Sequence, residues 1–199
     1  MTEDAEGFFL PSWECAPLLL GCVIRRGPVQ LRIVEVEAYG GPWDSASHAR
    51  FGRTARTRPL FDEGGALYIY LCYGVHWLVN VVTGPAGSPE AILIRGAEVV
   101  SGRSEVGSRI MRDPEVAGAL AGPGRVGRAL GVDRGQSGAR LGCGEWGLWG
   151  STPVLRPVVG PRVGVEYATD EDVGRPWRFA DPRSKQVSRR QTLREASIP

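Results

Sequence analysis

In the stretch RIVEVEAY, residues 32–39, Glu37 and Tyr39 stand two positions apart. Side chains alternate along an extended chain, so Val34, Val36 and Ala38 are expected on one face and Glu35, Glu37 and Tyr39 on the other. The Glu37 carboxylate then sits about 7 Å along the strand from the root of the Tyr39 ring. Such a ring can hold a flat heterocycle, and such a carboxylate can act as general base for water. The stretch LYIYLCYGVHWLVN, residues 67–80, offers a second ring in Tyr70, which like Tyr39 falls near a loop exit. Two rings close together make a slot, with stacking worth roughly 1–3 kcal/mol per base. Glu35 lies further from the loop and is read as a strand-face ion pair with an arginine.

Tyr73-Gly74 interrupts that second stretch, which therefore reads as a hairpin with Tyr73 at its tip. Two roles are open to a tip tyrosine. It can be a wedge pushed between base pairs, or it can fold back onto the core. The residues alone favour the second.

The elements that must position these groups are short. Gly 28 and Pro 15 in 199 residues demand many turns. A helix is expected over residues 12–20, interrupted by Pro17. Strands are expected over Gly21–Arg25, Gln30–Tyr39, Ala66–Cys72, Val75–Val82, Ala91–Ala97 and Arg162–Tyr167, all rich in Val, Ile, Leu and Tyr. Gly122-Pro123 opens a helix over 123–130 that Gly131 stops. Residues 100–118 are read as helical, and 1–11 and 182–199 as loosely held. With strands in the middle and helices at the edges, the expected fold is α+β. It is a single domain around a curved, mainly antiparallel β-sheet, with peripheral helices and a protruding β-hairpin.

The chain length fits one domain with a real core. The longest apolar run, Ala16 to Ile24, is broken by Pro17 and Gly21 and is too short to cross a bilayer, so no membrane partner is expected. The acidic start, residues 1–6, is unlike a secretory signal, and the expected location is cytoplasmic or nucleoid-associated. Cys15, Cys22, Cys72 and Cys143 show no CxxC spacing, and with two histidines a metal cage is not expected. Lys185 is the one lysine; the other 23 of the 24 basic residues are arginine, whose planar fork suits phosphate. Arg50, Arg53, Arg56 and Arg58 crowd one segment. Arg175, Arg178, Arg183, Lys185, Arg189, Arg190 and Arg194 crowd the C-terminal quarter. Both groups are candidate phosphate contacts.

Five ordered blocks carry a resemblance. VEVEAYGGPWDSASHARFGRTARTRPLF, LYIYLCYGVHWLVNVV, AILIRGAEVV, GPGRVGRALGV and RVGVEYA followed by RPWRF resemble the alkyladenine (3-methyladenine) DNA glycosylases, from about residue 16 to residue 179. The resemblance implies that Glu37 activates the hydrolytic water. It implies that Arg95 helps hold that water and that the Val163 backbone carbonyl touches it. A flipped base is then expected between Tyr39 and Tyr70, with His48 against it and Asn80 narrowing the pocket. Tyr73 is expected to fill the gap left in the duplex, which reverses the reading from residues alone. The implied partner is double-stranded DNA containing damaged purines, bound by a monomer without a cofactor. A lyase mechanism lacks its usual amine, because Lys185 lies outside the blocks. A non-catalytic binder of distorted nucleic acid and an unrelated small-molecule enzyme are the other readings. The first has no need of Glu37 and Arg95, and the second leaves the tip tyrosine and arginine clusters unexplained. Three positions depart from the pattern: Glu166 for a glycine, Thr57 for an asparagine, and Lys185-Gln186 for an aromatic residue.

Overall fold

The computed structural model describes residues 8–150 and 152–196. Nine strands form one open sheet: β1 (Val23–Arg26), β2 (Val29–Tyr39), β3 (Leu67–Cys72), β4 (His76–Thr83), β5 (Glu90–Ser101), β6 (Trp146–Trp149), β7 (Val158–Gly160), β8 (Arg178–Ala180) and β9 (Arg194–Glu195). Their order is β3-β4-β5-β2-β8-β7-β9, with β1 joining β2 to β6, and every pairing is antiparallel. The helices are α1 (Ser12–Leu19), α2 (Arg103–Ile110), α3 (Pro123–Leu130) and α4 (Asp170–Gly174). The fold is α+β, as the sequence implies. No described helix is long and apolar enough to cross a membrane.

The main core lies on one face of the sheet. Leu31, Ile33, Val36, Ala38, Ile92 and Ile94 meet Leu19 of α1 and Val126 and Leu130 of α3 there. Burying each of these valine, leucine and isoleucine side chains contributes about 1.5–3 kcal/mol. Helix α3 starts at Pro123 and stops at a left-handed Gly131, as expected. It lies directly on β4, because a Cβ at Gly127 would stand 2.0 Å from the Trp77 carbonyl oxygen.

The structure departs from expectation in four places. Arg162–Tyr167 is irregular rather than a strand, because the Val163 N–H bonds a side chain and Gly164 turns the chain at φ +78°. Residues 100–118 contain only the two turns of α2, which end at a left-handed Met111 just before Pro114. Residues 182–196 are packed rather than loosely held: Val187 and Leu193 are buried with Val34 and Ala180. Phe8 is also buried, and its carbonyl accepts from Gly84 N–H; residues 1–7 and 197–199 lie outside the described residues.

The fourth departure concerns the face of β2. Val34 does not share a face with Val36. Between β2 and β5 the register shifts three times, and the last two shifts pair Ile33 with Ala97, Glu35 with Gly96 and Val36 with Ile94. Val34 and Arg95 are thus extra residues in a β-bulge, which re-aims side chains. Val34 joins the small second cluster, while Ile33, Val36, Ile94 and Ala97 stay in the main core.

Candidate active site

The face opposite the main core carries the candidate site residues. Strict register sets one row across five strands: Tyr68, Asn80, Leu93, Glu37 and Arg178 pair in turn from β3 to β8. The bulge adds Arg95 and Glu35 to the same face. Gly96 makes this possible, since a Cβ there would meet the Gln186 carbonyl at 2.5 Å and the Glu35 Cβ at 3.0 Å.

Glu37 is fully buried. Its Oε1 accepts the Val163 N–H at 2.7 Å. Its Oε2 accepts the Tyr39 hydroxyl at 2.9 Å and Arg95 Nη1 at 3.2 Å. Burial, and next the Glu37 charge, hold the Tyr39 hydroxyl well above its usual pKa, so it stays a donor. Three of the sequence-derived residues, Tyr39, Arg95 and Val163, thus meet at the Glu37 carboxylate, Val163 through its N–H.

Glu35 has the arginine partner expected of it, and a second one. Its Oε1 accepts Arg178 Nη1 at 3.0 Å, Arg95 Nε at 3.4 Å and Ser188 Oγ at 2.8 Å, while Oε2 accepts Ser188 N–H at 2.7 Å. Arg95 therefore bridges two buried carboxylates, and Arg178 balances the second. Two negative and two positive groups leave the array neutral, which is the condition for burying them.

A cavity of about 530 Å³ opens beside Glu37. Tyr39, His48, Tyr70, Tyr73, Asn80, Arg95 and Val163 all line it. Tyr70 stacks on Tyr68 at 5.3 Å and meets the His48 ring edge-on at 4.5 Å. His48 Nδ1 lies 3.0 Å from the Tyr68 hydroxyl. Burial, then Arg56 and Arg50, push its pKa down to about 4, so the ring is neutral at pH 7. Asn80 Nδ2 donates to the Tyr68 carbonyl at 2.9 Å, which fixes its amide. Tyr73 stands at the hairpin tip, 88% exposed and at φ +50°, so the fold-back reading fails. Of the four clustered arginines, Arg56 lines the cavity and lies 5.3 Å over Tyr70, whereas Arg50 rests on Phe51 and Tyr167 and Arg53 on Phe61. Arg58 is exposed.

Several supporting residues escaped the sequence reading. Arg162 is buried and bidentate to Asp44 at 2.6 and 3.0 Å, and it also donates to the Ala38 and Asp172 carbonyls. Its guanidinium lies between Tyr39 (4.9 Å) and Trp177 (5.1 Å), and Trp177 stacks on Trp13 at 5.1 Å. Tyr39 is thus backed by a cation and two indoles. The Asp44 and Arg162 positions are 118 residues apart, so no local pattern in the sequence signals such a layer. Of the departures, Glu166 is exposed. Thr57 is buried and bonds the Gly52 carbonyl at 2.7 Å. Gln186 is buried and bonds Leu120 N–H and the Val116 carbonyl, tying down the segment where an aromatic side chain was expected. Among the described residues no group of three His, Cys, Asp or Glu could hold a metal ion.

Comparison with known proteins gives this geometry a context. The family model described as methylpurine-DNA glycosylase matches residues 7–185. The chain is 45% identical over 181 residues to a Nitrosococcus oceani protein provisionally named 3-methyladenine DNA glycosylase, covering 90% of each. It is 45% identical over 177 residues to the DNA-3-methyladenine glycosylase of Arabidopsis thaliana, covering 88% of this chain and 69% of the relative. A Frankia casuarinae protein, also provisionally named 3-methyladenine DNA glycosylase, is 46% identical over 182 residues, covering 85% of this chain and 84% of the relative. The chain belongs to the methylpurine-DNA glycosylase family.

Proposed function

We propose that this protein is a monofunctional DNA glycosylase that removes alkylated or deaminated purines from duplex DNA. The observation that carries this reading is a buried carboxylate, Glu37, held by three donors, Tyr39, Arg95 and Val163, that all line one cavity with Tyr70. The damaged nucleotide leaves the stack and enters that cavity, at a cost of a few kcal/mol that is least for a damaged or mismatched pair. Tyr73 fills the vacated space in the duplex. Glu37 takes a proton from a water held beside Arg95 and Val163. The water oxygen bonds the sugar C1′ as the bond from C1′ to the base nitrogen breaks, and that electron pair leaves with the base. A positively charged alkylated base departs neutral, whereas hypoxanthine or ethenoadenine needs a proton to leave. The Glu37 charge also stabilises the cationic character that develops on the sugar. The product strand keeps an intact abasic site.

Neither rival has comparable support. Lys185 is exposed on the C-terminal segment and is not among the cavity residues, so an amine-dependent lyase step has no nucleophile there. A non-catalytic binder would not require the Glu37 and Arg95 arrangement. The test is single-turnover base release from duplexes carrying one lesion each. Wild type is expected to release the base, and Glu37→Gln to bind the lesion without releasing it. A Glu37→Gln rate near wild type would refute the role of Glu37. A wild-type protein that binds lesions and releases none would make it a binder. A borohydride-trapped complex would overturn the monofunctional assignment and implicate Lys185.

A further inference from the structure

The C-terminal segment that packs behind Glu35 also reaches the cavity. Among its basic residues, Arg175 is engaged by Glu171 and Asp172, Arg178 by Glu35, and Arg183 by Asp181. Arg190 donates to the Ser184 and Pro182 carbonyls, and Arg194 to those of Gln191 and Leu193. Among the described residues of this segment, Arg189 alone combines a guanidinium with no bond to protein and a place on the cavity wall. Lys185, also unbonded, is not among the cavity residues.

The backbone of Arg189 is strained to put it there. Its φ is +41°, a left-handed conformation that disfavours any residue with a Cβ. The neighbours over-determine it. Ser188 N–H and Oγ bond Glu35, and the Ser188 carbonyl accepts Arg178 Nη1 at 3.0 Å. The Arg189 carbonyl accepts Thr192 Oγ1 at 2.9 Å, and that hydroxyl is also bonded by Arg178. Asparagine or glycine would hold this turn at lower cost, yet the position carries a long cation aimed at no protein group. Strain kept at a site wall points to function.

Resting on the glycosylase reading above, we infer that Arg189, supplied by the C-terminal segment to the cavity that Arg56 also lines, binds a DNA phosphate flanking the extruded nucleotide. Because Ser188 also touches Arg95 Nη2 at 3.3 Å, the same turn that presents this cation anchors the array around Glu37. Phosphate is the ligand that fits a guanidinium without a protein partner on the wall of a base-sized cavity, since base edges and sugar offer no net negative charge.

The test uses Arg189→Gly and Arg189→Lys with duplexes carrying one lesion. Glycine relieves the backbone strain, so Arg189→Gly is expected to keep or raise the melting temperature while weakening lesion binding. The salt dependence should become shallower by about one phosphate, a change in slope of about 0.9. Arg189→Lys should restore most of both. Replacing single phosphates around the lesion with neutral methylphosphonates should weaken wild type at one flanking position and leave Arg189→Gly indifferent there. An unchanged affinity and slope, or equal sensitivity of both proteins at every phosphate, would overturn the inference. A wild-type protein that fails to release any base would sink the glycosylase reading, while the binding measurements would still report on Arg189.

Discussion

Glu35 sits at the centre of the buried charge array, and its removal has a calculable consequence. Its carboxylate accepts four hydrogen bonds, two of them from guanidinium groups. Arg178, its main counter-charge, has a side chain 0% exposed. Glu35→Ala leaves that cation with no ion pair and the Ser188 N–H without its acceptor. Breaking a buried pair from one side costs about 3–5 kcal/mol, a large part of the 5–15 kcal/mol that holds a typical domain together. Glu35→Gln is the cleaner change, because it keeps the shape and one acceptor and gives up the charge. We expect it to cost about 3 kcal/mol, close to the loss of two charge-assisted bonds. Glu37→Gln also removes a buried carboxylate, but that carboxylate holds one guanidinium where Glu35 holds two. Its cost should be near that of one charge-assisted bond, about 1.5 kcal/mol. Urea unfolding at pH 7 reads both values as shifts in midpoint at constant slope. Glu35→Gln should also slow base release, because Arg95 loses one of its two anchors. Combining Glu35→Gln with Arg178→Met removes the stranded cation, so the double variant should lose less than the sum of the two single changes, by about 1–3 kcal/mol. Glu35→Gln within 0.5 kcal/mol of wild type, or strictly additive losses, would refute the claim that the array is balanced charge by charge.

Tyr73→Ala should leave the melting temperature unchanged, since an exposed tip side chain supports little core. It should weaken nucleotide extrusion by about 1–3 kcal/mol of lost stacking, read from ethenoadenine fluorescence, with a larger defect on duplex than on single-stranded lesions. A strong drop in melting temperature with extrusion intact would refute the wedge. His48 yields a pH prediction. Folding lowers its pKa from 6.5 to about 4, so the unfolded chain takes up the proton first as pH falls. The contribution of His48 is therefore complete above about pH 6.5 and declines towards pH 4, by at most about 3 kcal/mol. Urea unfolding across that window should show this decline, and His48→Gln should remove it; parallel profiles for the two proteins would count against it.

The parts that were legible in the sequence share a physical trait. Strands β2 to β5 are long and carry enough β-branched and aromatic residues for periodicity to show. Helix α3 is bracketed by Pro123 and Gly131. The stretches that were misread are those where tertiary contacts override local pattern. Strands β6 to β9 have two to four residues each, too few for alternation to show. The segment Arg162–Tyr167 has a strand's composition, yet its first residues are committed to Asp44 and Glu37. Residues 182–196 look polar because their polar groups, Ser188 and Gln186 among them, bond buried partners rather than water. The strict alternation assumed for β2 failed at one bulge. The shared face expected for Glu35, Glu37 and Tyr39 survived because Glu37 and Tyr39 lie beyond the bulge and Glu35 forms part of it.

That bulge explains why a strand with two glutamates can sit inside the protein. A regular β2–β5 ladder would pair every residue, leaving no irregular step at which Arg95 is an extra residue. The bulge sets Arg95 against the second face, between Glu35 and Glu37, and the missing side chain of Gly96 makes room for Glu35 beneath the Gln186 carbonyl. The two carboxylates then differ in surroundings although they share one cation. Glu35 is closed off by Ser188 and Arg178 and can only hold charge in place. Glu37 is as deeply buried, but its three donors, Tyr39, Arg95 and Val163, all line the cavity. In the glycosylase proposed above, two acids two residues apart thus take separate roles, one structural and one chemical: Glu35 is bonded by Ser188 of the C-terminal segment, whereas Glu37 is bonded by residues of the cavity wall.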